Sequence, residues 1–205
     1  MIDSRSDASS RLEVLRELFA SATHDASAVM CRWTDGLITV TLDEVREIAL
    51  EEVATELNLT DDLLTMVVLS LQGEVGGNMI LVFDDWGARQ LAASLLNREP
   101  ETDPEWTEPE KSALTETGNI LGCAYMNALT RLIGVDLVPS APYFIQDYGA
   151  SVLQQALMAQ AMTCDELLIC RIGFRFNDEQ LDWRVVFVPT PSMREAMEEA
   201  IHAAH

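Results

Sequence analysis

Residues 107–142, TEPEKSALTETGNILGCAYMNALTRLIGVDLVPSAP, read as one long helix followed by a strand, and the rest of the chain is organised around them. Thr107 is a capping residue type, with Glu110 three positions on, the spacing at which a carboxylate reaches back to the cap. Pro109 falls in the first turn, where a missing N–H costs nothing, and Gly134 offers the left-handed residue that ends the helix. Leu114, Leu121, Tyr125, Leu129 and Leu132 recur at helical spacing and predict the buried face. Ser112, Glu116 and Asn119 stand at i, i+4 and i+7, so they stack on one side as a polar stripe. Asn119 is a poor helix former, and Gly118 beside it costs roughly 1 kcal/mol relative to alanine in a helix interior. Together with Gly122 one turn on, this small-residue strip marks a close approach, either by a partner or by another element of the same chain.

Pro142 follows Asn119 after 22 intervening residues. The spacing Ser-x3-Glu-x2-Asn-x22-Pro resembles the signature of the CheC/CheX/FliY family of phosphatases, in which the first position is Asp or Ser. Ser112, Glu116, Asn119 and Pro142 match all four positions. The surrounding run ETGNILGCAYMNALTRLIGVDLVPSAP looks like the second half of a CheC protein, and the similarity extends more weakly over residues 12–203. The resemblance implies hydrolysis of the aspartyl phosphate on a CheY-type response regulator. The family's water-orienting group would be Asn119, and Glu116 would dock on the receiver's lysine. Ser112 would support from the rim, and Pro142 would shape the neighbouring strand or loop. The resemblance also implies that this chain binds no cofactor, that a divalent metal, magnesium, sits on the receiver, and that CheD is a second candidate partner.

Bulk composition agrees with such a protein. The chain has 205 residues, 48% of them hydrophobic, which is ample for a packed core. Its longest apolar runs are strand-sized, and neither a membrane-spanning stretch nor a secretory leader is evident, so a cytoplasmic location is the default expectation. A formal charge of −21, with Lys111 the sole lysine, disfavours binding to nucleic acid or anionic lipid. Two readings fit the excess acid equally: adaptation to high salt, or an ordinary solvated acidic surface. Cys31, Cys123, Cys164 and Cys170 form no CxxC pair and read as core thiols, and the three histidines are scattered, so no metal centre is expected.

Taken in order, residues 1–10 are small and polar and are expected to be poorly ordered. A first helix is expected over 12–32 and a strand over 37–41, then a strand with a short helix in 43–58. A hairpin follows at 65–71 and 78–83, then a helix over 86–96. Beyond the acidic connector 98–106 the same order begins again: the long helix, a strand at 135–139, a helix over 147–161, a hairpin at 167–176 and 181–188, and a last helix capped by Ser192 with Glu195. The repeat predicts an internal duplication with an offset near 99 residues when Glu17 is laid on Glu116. The expected fold is therefore α+β: a single domain over 11–205, whose pseudo-symmetric halves, about 12–97 and 107–203, share one sheet core.

The same offset places Glu13 on Ser112, Glu17 on Glu116 and Ala20 on Asn119, with Leu42 or Asp43 near the position of Pro142. An alanine cannot orient water, so the first copy reads as a degenerate site and the C-terminal site as the working one. Two other functions compete with the phosphatase: a non-catalytic adaptor that captures a phosphorylated receiver or CheD, and a flagellar-switch module of the FliM middle-domain type. Retention of Glu116 and Asn119 argues against the last.

Overall fold

The computed structural model describes residues 3–36, 38–52, 55, 63–72, 75–103, 105–148, 151, 166–176 and 179–203. Within them the elements run α1 (Asp3–Trp33), β1 (Ile38–Ala49), a 3-10 turn (Leu50–Glu52), β2 (Leu63–Gln72), β3 (Gly77–Asp84), α2 (Asp85–Leu95), α3 (Glu108–Ile133), β4 (Val138–Pro139), β5 (Tyr143–Tyr148), β6 (Glu166–Phe176), β7 (Glu179–Pro189) and α4 (Pro191–Ala203). The strands form one antiparallel sheet in the order β1-β6-β7-β3-β2-β4, with β5 also paired to β2. The two halves therefore exchange their first strands. β1 of the first half pairs with β6 of the second, while β4 and β5 of the second pair with β2 of the first. β3 and β7 join at the centre, Gly77 against Pro189 through Val82 against Arg184. Neither half could complete its sheet alone, which is the physical content of the expected shared core.

Strand alternation sorts the apolar residues onto both faces. On one face Val67, Leu69, Leu81, Phe83, Ile172 and Phe187 meet α1 and α3, and Phe83 stands edge-on to Trp183. On the other face Met66, Val68, Ile80, Val82 and Val186 form a second buried cluster. The helices α1 and α3 lie side by side. Phe19 meets Tyr125 edge-to-face at 5.4 Å, and the buried Tyr125 hydroxyl shares a 2.8 Å hydrogen bond with Thr23 Oγ1. Both groups satisfy in this way a polar atom that burial would otherwise leave unpaired.

Several expectations are corrected. The first helix begins at Asp3, not Leu12, and so takes in most of the segment that composition marks as poorly ordered. No proline or glycine interrupts residues 3–10, so nothing in the backbone chemistry keeps the helix from starting there. The strand expected over 37–41 and the one beyond it are a single strand, bent by a register shift between Leu42 and Glu44. Asp147 does not start a helix: residues 143–148 are strand β5, which the pattern reading missed, and 152–165 lie outside the described residues. The last helix is capped two residues earlier than expected. Thr190 Oγ1, not Ser192, accepts from Met193 N, and Pro191 takes the first helical position. Of the cysteines expected in the core, Cys170 is buried, Cys31 and Cys123 are half-buried, and Cys164 lies outside the described residues.

The glycine strip of α3 is a packing contact within the chain. A Cβ on Gly118 would stand 2.5 Å from Val67 Cγ1, and one on Gly122 would stand 2.6 Å from Leu69 Cδ2. Val67 is fully buried and β-branched, so its χ1 cannot give way, whereas the end of Leu69 can rotate. Overpacking costs about 1–3 kcal/mol and replacing a helical glycine returns about 1 kcal/mol. Gly118→Ala is therefore expected to lower unfolding stability by up to about 2 kcal/mol in urea titrations, with Gly122→Ala close to neutral. A Gly118→Ala variant more stable than the parent would contradict this contact.

Candidate active site

The stripe sits on α3, so its geometry begins with how that helix is held. Thr107 N and Thr107 Oγ1 both donate to Glu110 Oε2, at 2.9 and 2.7 Å, and Arg98 Nη2 lies 2.8 Å from Glu110 Oε1. The Glu110 side chain is only 1% exposed. Burial pushes its carboxyl up, but the Thr107 hydrogen bonds and the Arg98 guanidinium outweigh that effect and hold it below its ordinary value of 4.5. The connector before the helix is anchored as well. The Arg89 guanidinium stands 4.5 Å over the Trp106 ring, and Trp106 lies against Phe144 of β5 at 5.3 Å. Asp85 completes the bracket by accepting from Arg89 Nε and Gln146 Nε2, both at 2.9 Å. At the far end Gly134 adopts φ 69° and closes the helix as the sequence predicts.

With Gly118 and Gly122 seated on β2, the rotation of α3 is fixed. Leu114, Leu121, Tyr125 and Leu129 point into the core, and Leu132 packs at its margin. Ser112 and Glu116 are exposed, and Asn119 is half-buried beside them. The neighbouring hydroxyls of Thr115 and Thr117 are turned back onto the carbonyls of Lys111 and Ala113. Ser112 and Glu116, by contrast, make no hydrogen bond or ion pair among the described residues. The Asn119 carboxamide makes one weak contact, accepting at Oδ1 from the Cys123 thiol at 3.7 Å. The stripe is thus a row of polar groups on a rigid helix whose hydrogen-bonding capacity is largely uncommitted.

Pro142 is half-buried and lies apart from the stripe in sequence, in the break between β4 and β5. Ser140 secures that break: its N donates to Ser70 O, and its Oγ accepts from Ser70 N. In the first half Asp43, at an offset of 99 from Pro142, falls in the β1 register shift, so both first strands bend at the matching place. Glu13, Glu17 and Ala20 are all exposed on α1. Two residues that shape the site escaped the sequence reading. Arg98 reaches across a connector that looks merely acidic to pair with the buried Glu110, and Cys123 continues the stripe one turn beyond Asn119. Spacing alone could have found Cys123, at i+4 from Asn119. Among the described residues no helix is long and apolar enough to cross a membrane, and no group of three or more His, Cys, Asp or Glu side chains is placed to hold a metal ion.

Solved structures named for chemotaxis and Fli proteins share this fold. FliY of Thermotoga maritima superposes with a TM-score of 0.75 at 15% identity, covering 100% of both chains. The FliM middle domain of H. pylori superposes at 0.68 and 12% identity, covering 92% of this chain and 97% of that one. A chain in the CheX-CheY-BeF3-Mg+2 complex of Borrelia burgdorferi superposes at 0.52 and 20% identity, covering 82% and 95%. In sequence the chain is 26% identical over 163 residues to CheY-P phosphatase CheC of Bacillus subtilis (strain 168), spanning 78% of this chain and 77% of the relative. It is 23% identical over 152 residues to the putative CheY-P phosphatase CheC1 of Halobacterium salinarum, spanning 74% of each. No protein-family model matches the chain. Fold and sequence likeness together support the resemblance to the CheC/CheX/FliY family.

Because the folded Glu110 carboxyl titrates below its ordinary 4.5, its stabilisation is complete above that value and is lost as pH falls through the lowered one. Glu110→Gln is expected to cost about 1.5–3 kcal/mol at pH 7, with the gap to the parent closing below pH 4 in thermal melts. A gap that stays constant down to pH 3 would contradict the charged state of Glu110.

Proposed function

We propose that the chain is a protein-aspartyl-phosphate phosphatase that acts on a CheY-type receiver, with α3 as its single active helix. The observation that carries this reading is the row Ser112, Glu116 and Asn119, which faces outward from a rigidly seated helix with its polar atoms largely uncommitted. Curated relatives bear the name CheY-P phosphatase, and the Borrelia structure is of a complex that contains CheY, BeF3 and Mg+2.

Phosphoryl transfer asks little covalent chemistry of a protein beyond placing the nucleophile in line and tolerating the charge. A magnesium ion and a lysine on the receiver would supply the charge neutralisation. Asn119 would hold the attacking water: a carboxamide both donates and accepts, and being neutral it is not repelled by phosphoryl oxygens. Glu116, one turn earlier on the same side, would pair with the receiver's lysine and set the approach. Ser112 lies at the rim of this contact, and Pro142 acts at a distance by bending the β4–β5 edge. On α1 the position of the amide is held by Ala20, so Glu13 and Glu17 would at most bind. CheD is a second partner by family likeness, and the location would be cytoplasmic.

An adaptor without turnover is the runner-up. The FliM likeness supports it, because the same fold is found in a FliM that was solved in a complex with FliG. Turnover separates the two readings. Adding the chain to a phosphorylated receiver is expected to shorten the phosphate lifetime, and Asn119→Ala is expected to abolish the effect by on the order of a hundredfold or more. Glu116→Ala is expected to act mainly on the concentration dependence, and Glu17→Ala to leave the rate within about twofold. A receiver that binds tightly while its phosphate lifetime stays unchanged would sink the phosphatase reading and leave the adaptor.

A further inference from the structure

The polar stripe of α3 continues past Asn119. One turn on, Cys123 is half-buried and its thiol faces Asn119 Oδ1 at 3.7 Å, the only hydrogen bond of that side chain among the described residues. Cys123 is in no disulfide. A carboxamide has two unlike ends, and half a turn about its last torsion exchanges the acceptor oxygen for the donor nitrogen. An exposed asparagine with no partner samples both. We infer that Cys123 is a positioning residue for Asn119: by donating to Oδ1 it selects the rotamer in which the amide N–H2 is the end presented to a partner. This inference rests on the reading of Asn119 as the water-orienting group.

The chemistry of the pair sets its direction. Only a protonated thiol can donate, whereas a thiolate would accept from Nδ2 and favour the opposite rotamer. Burial raises the Cys123 pKa above its ordinary 9.0, and the Glu116 carboxylate, two positions along the stripe, raises it further. The donor therefore persists through neutral and mildly alkaline pH. The first half lacks the pair altogether. At the same offset of 99, Ala20 and His24 replace Asn119 and Cys123, so thiol and carboxamide occur together only on α3.

Two measurements on the full chain test this. In the free protein, relaxation of the Asn119 side-chain N–H2 by nuclear magnetic resonance is expected to show an ordered amide in the parent and in Cys123→Ser, and a disordered one in Cys123→Ala. In receiver dephosphorylation, Cys123→Ala is expected to lower kcat by about threefold to tenfold with KM unchanged, as loss of one weak hydrogen bond requires. Cys123→Ser should recover most of that loss, and in an Asn119→Ala background the Cys123 substitution should have no further effect. An equal loss in both backgrounds would mean a packing role and overturn the proposal. So would an Asn119 amide equally ordered without the thiol. Should the parent fail to shorten the phosphate lifetime, the phosphatase reading falls by itself, and the relaxation measurement decides the role of Cys123 alone.

Discussion

The contact on which the rest depends is the seating of Gly118 and Gly122 against Val67 and Leu69. Two hydrogen atoms in place of two methyl groups bring α3 close to β2, and at that distance Val67 leaves the helix no freedom to roll. A helix rotates by about 100° per residue, so a roll of one position would carry Asn119 into the core or out into solvent. Half-burial of Asn119 follows from this seating, with Ser112 and Glu116 exposed on the same side. The glycines beside the stripe thus serve it from behind.

Exchange of first strands ties the two halves together whatever side chains their surfaces carry. β1 belongs to the half with Ala20, yet it completes the sheet that β6 and β7 begin, and α1 supplies Phe19 and Thr23 to the Tyr125 side of α3. Removing the first half would strip the second of a sheet edge and of its partner helix. The first half is thus held in place by packing whatever becomes of its surface. Its register shift at Asp43 lies at the offset of Pro142, which stands in the break between β4 and β5 of the second half.

Much of this was legible in the sequence where a local rule acts alone. The α3 boundaries followed from Thr107, Glu110 and Gly134, its buried face from leucine spacing, and the outward stripe from i, i+4, i+7 arithmetic. What stayed illegible depends on contacts distant in the chain. The meaning of the Gly118 strip was open until Val67 was seen beneath it. β5 was hidden because Pro142 and Asp147 frame YFIQDY like a loop, and its pairing with β2 is set by the exchange of halves, not by its own short pattern. The role of Thr190 was masked by Ser192, which is an equally good cap in sequence, and the choice fell to the residue before Pro191. Arg98 looked like a surface charge because no periodicity shows that the connector folds back over the helix to reach Glu110.

The central claim is that one face of α3, and not its counterpart on α1, receives the phosphorylated receiver. The most direct test is to map the footprint of a beryllofluoride-activated CheY-type receiver on this chain by backbone amide perturbation. The account predicts changes centred on Ser112, Glu116 and Asn119, with little at Glu13, Glu17 and Ala20. Perturbation centred on α1, or spread over a face that excludes α3, would contradict it.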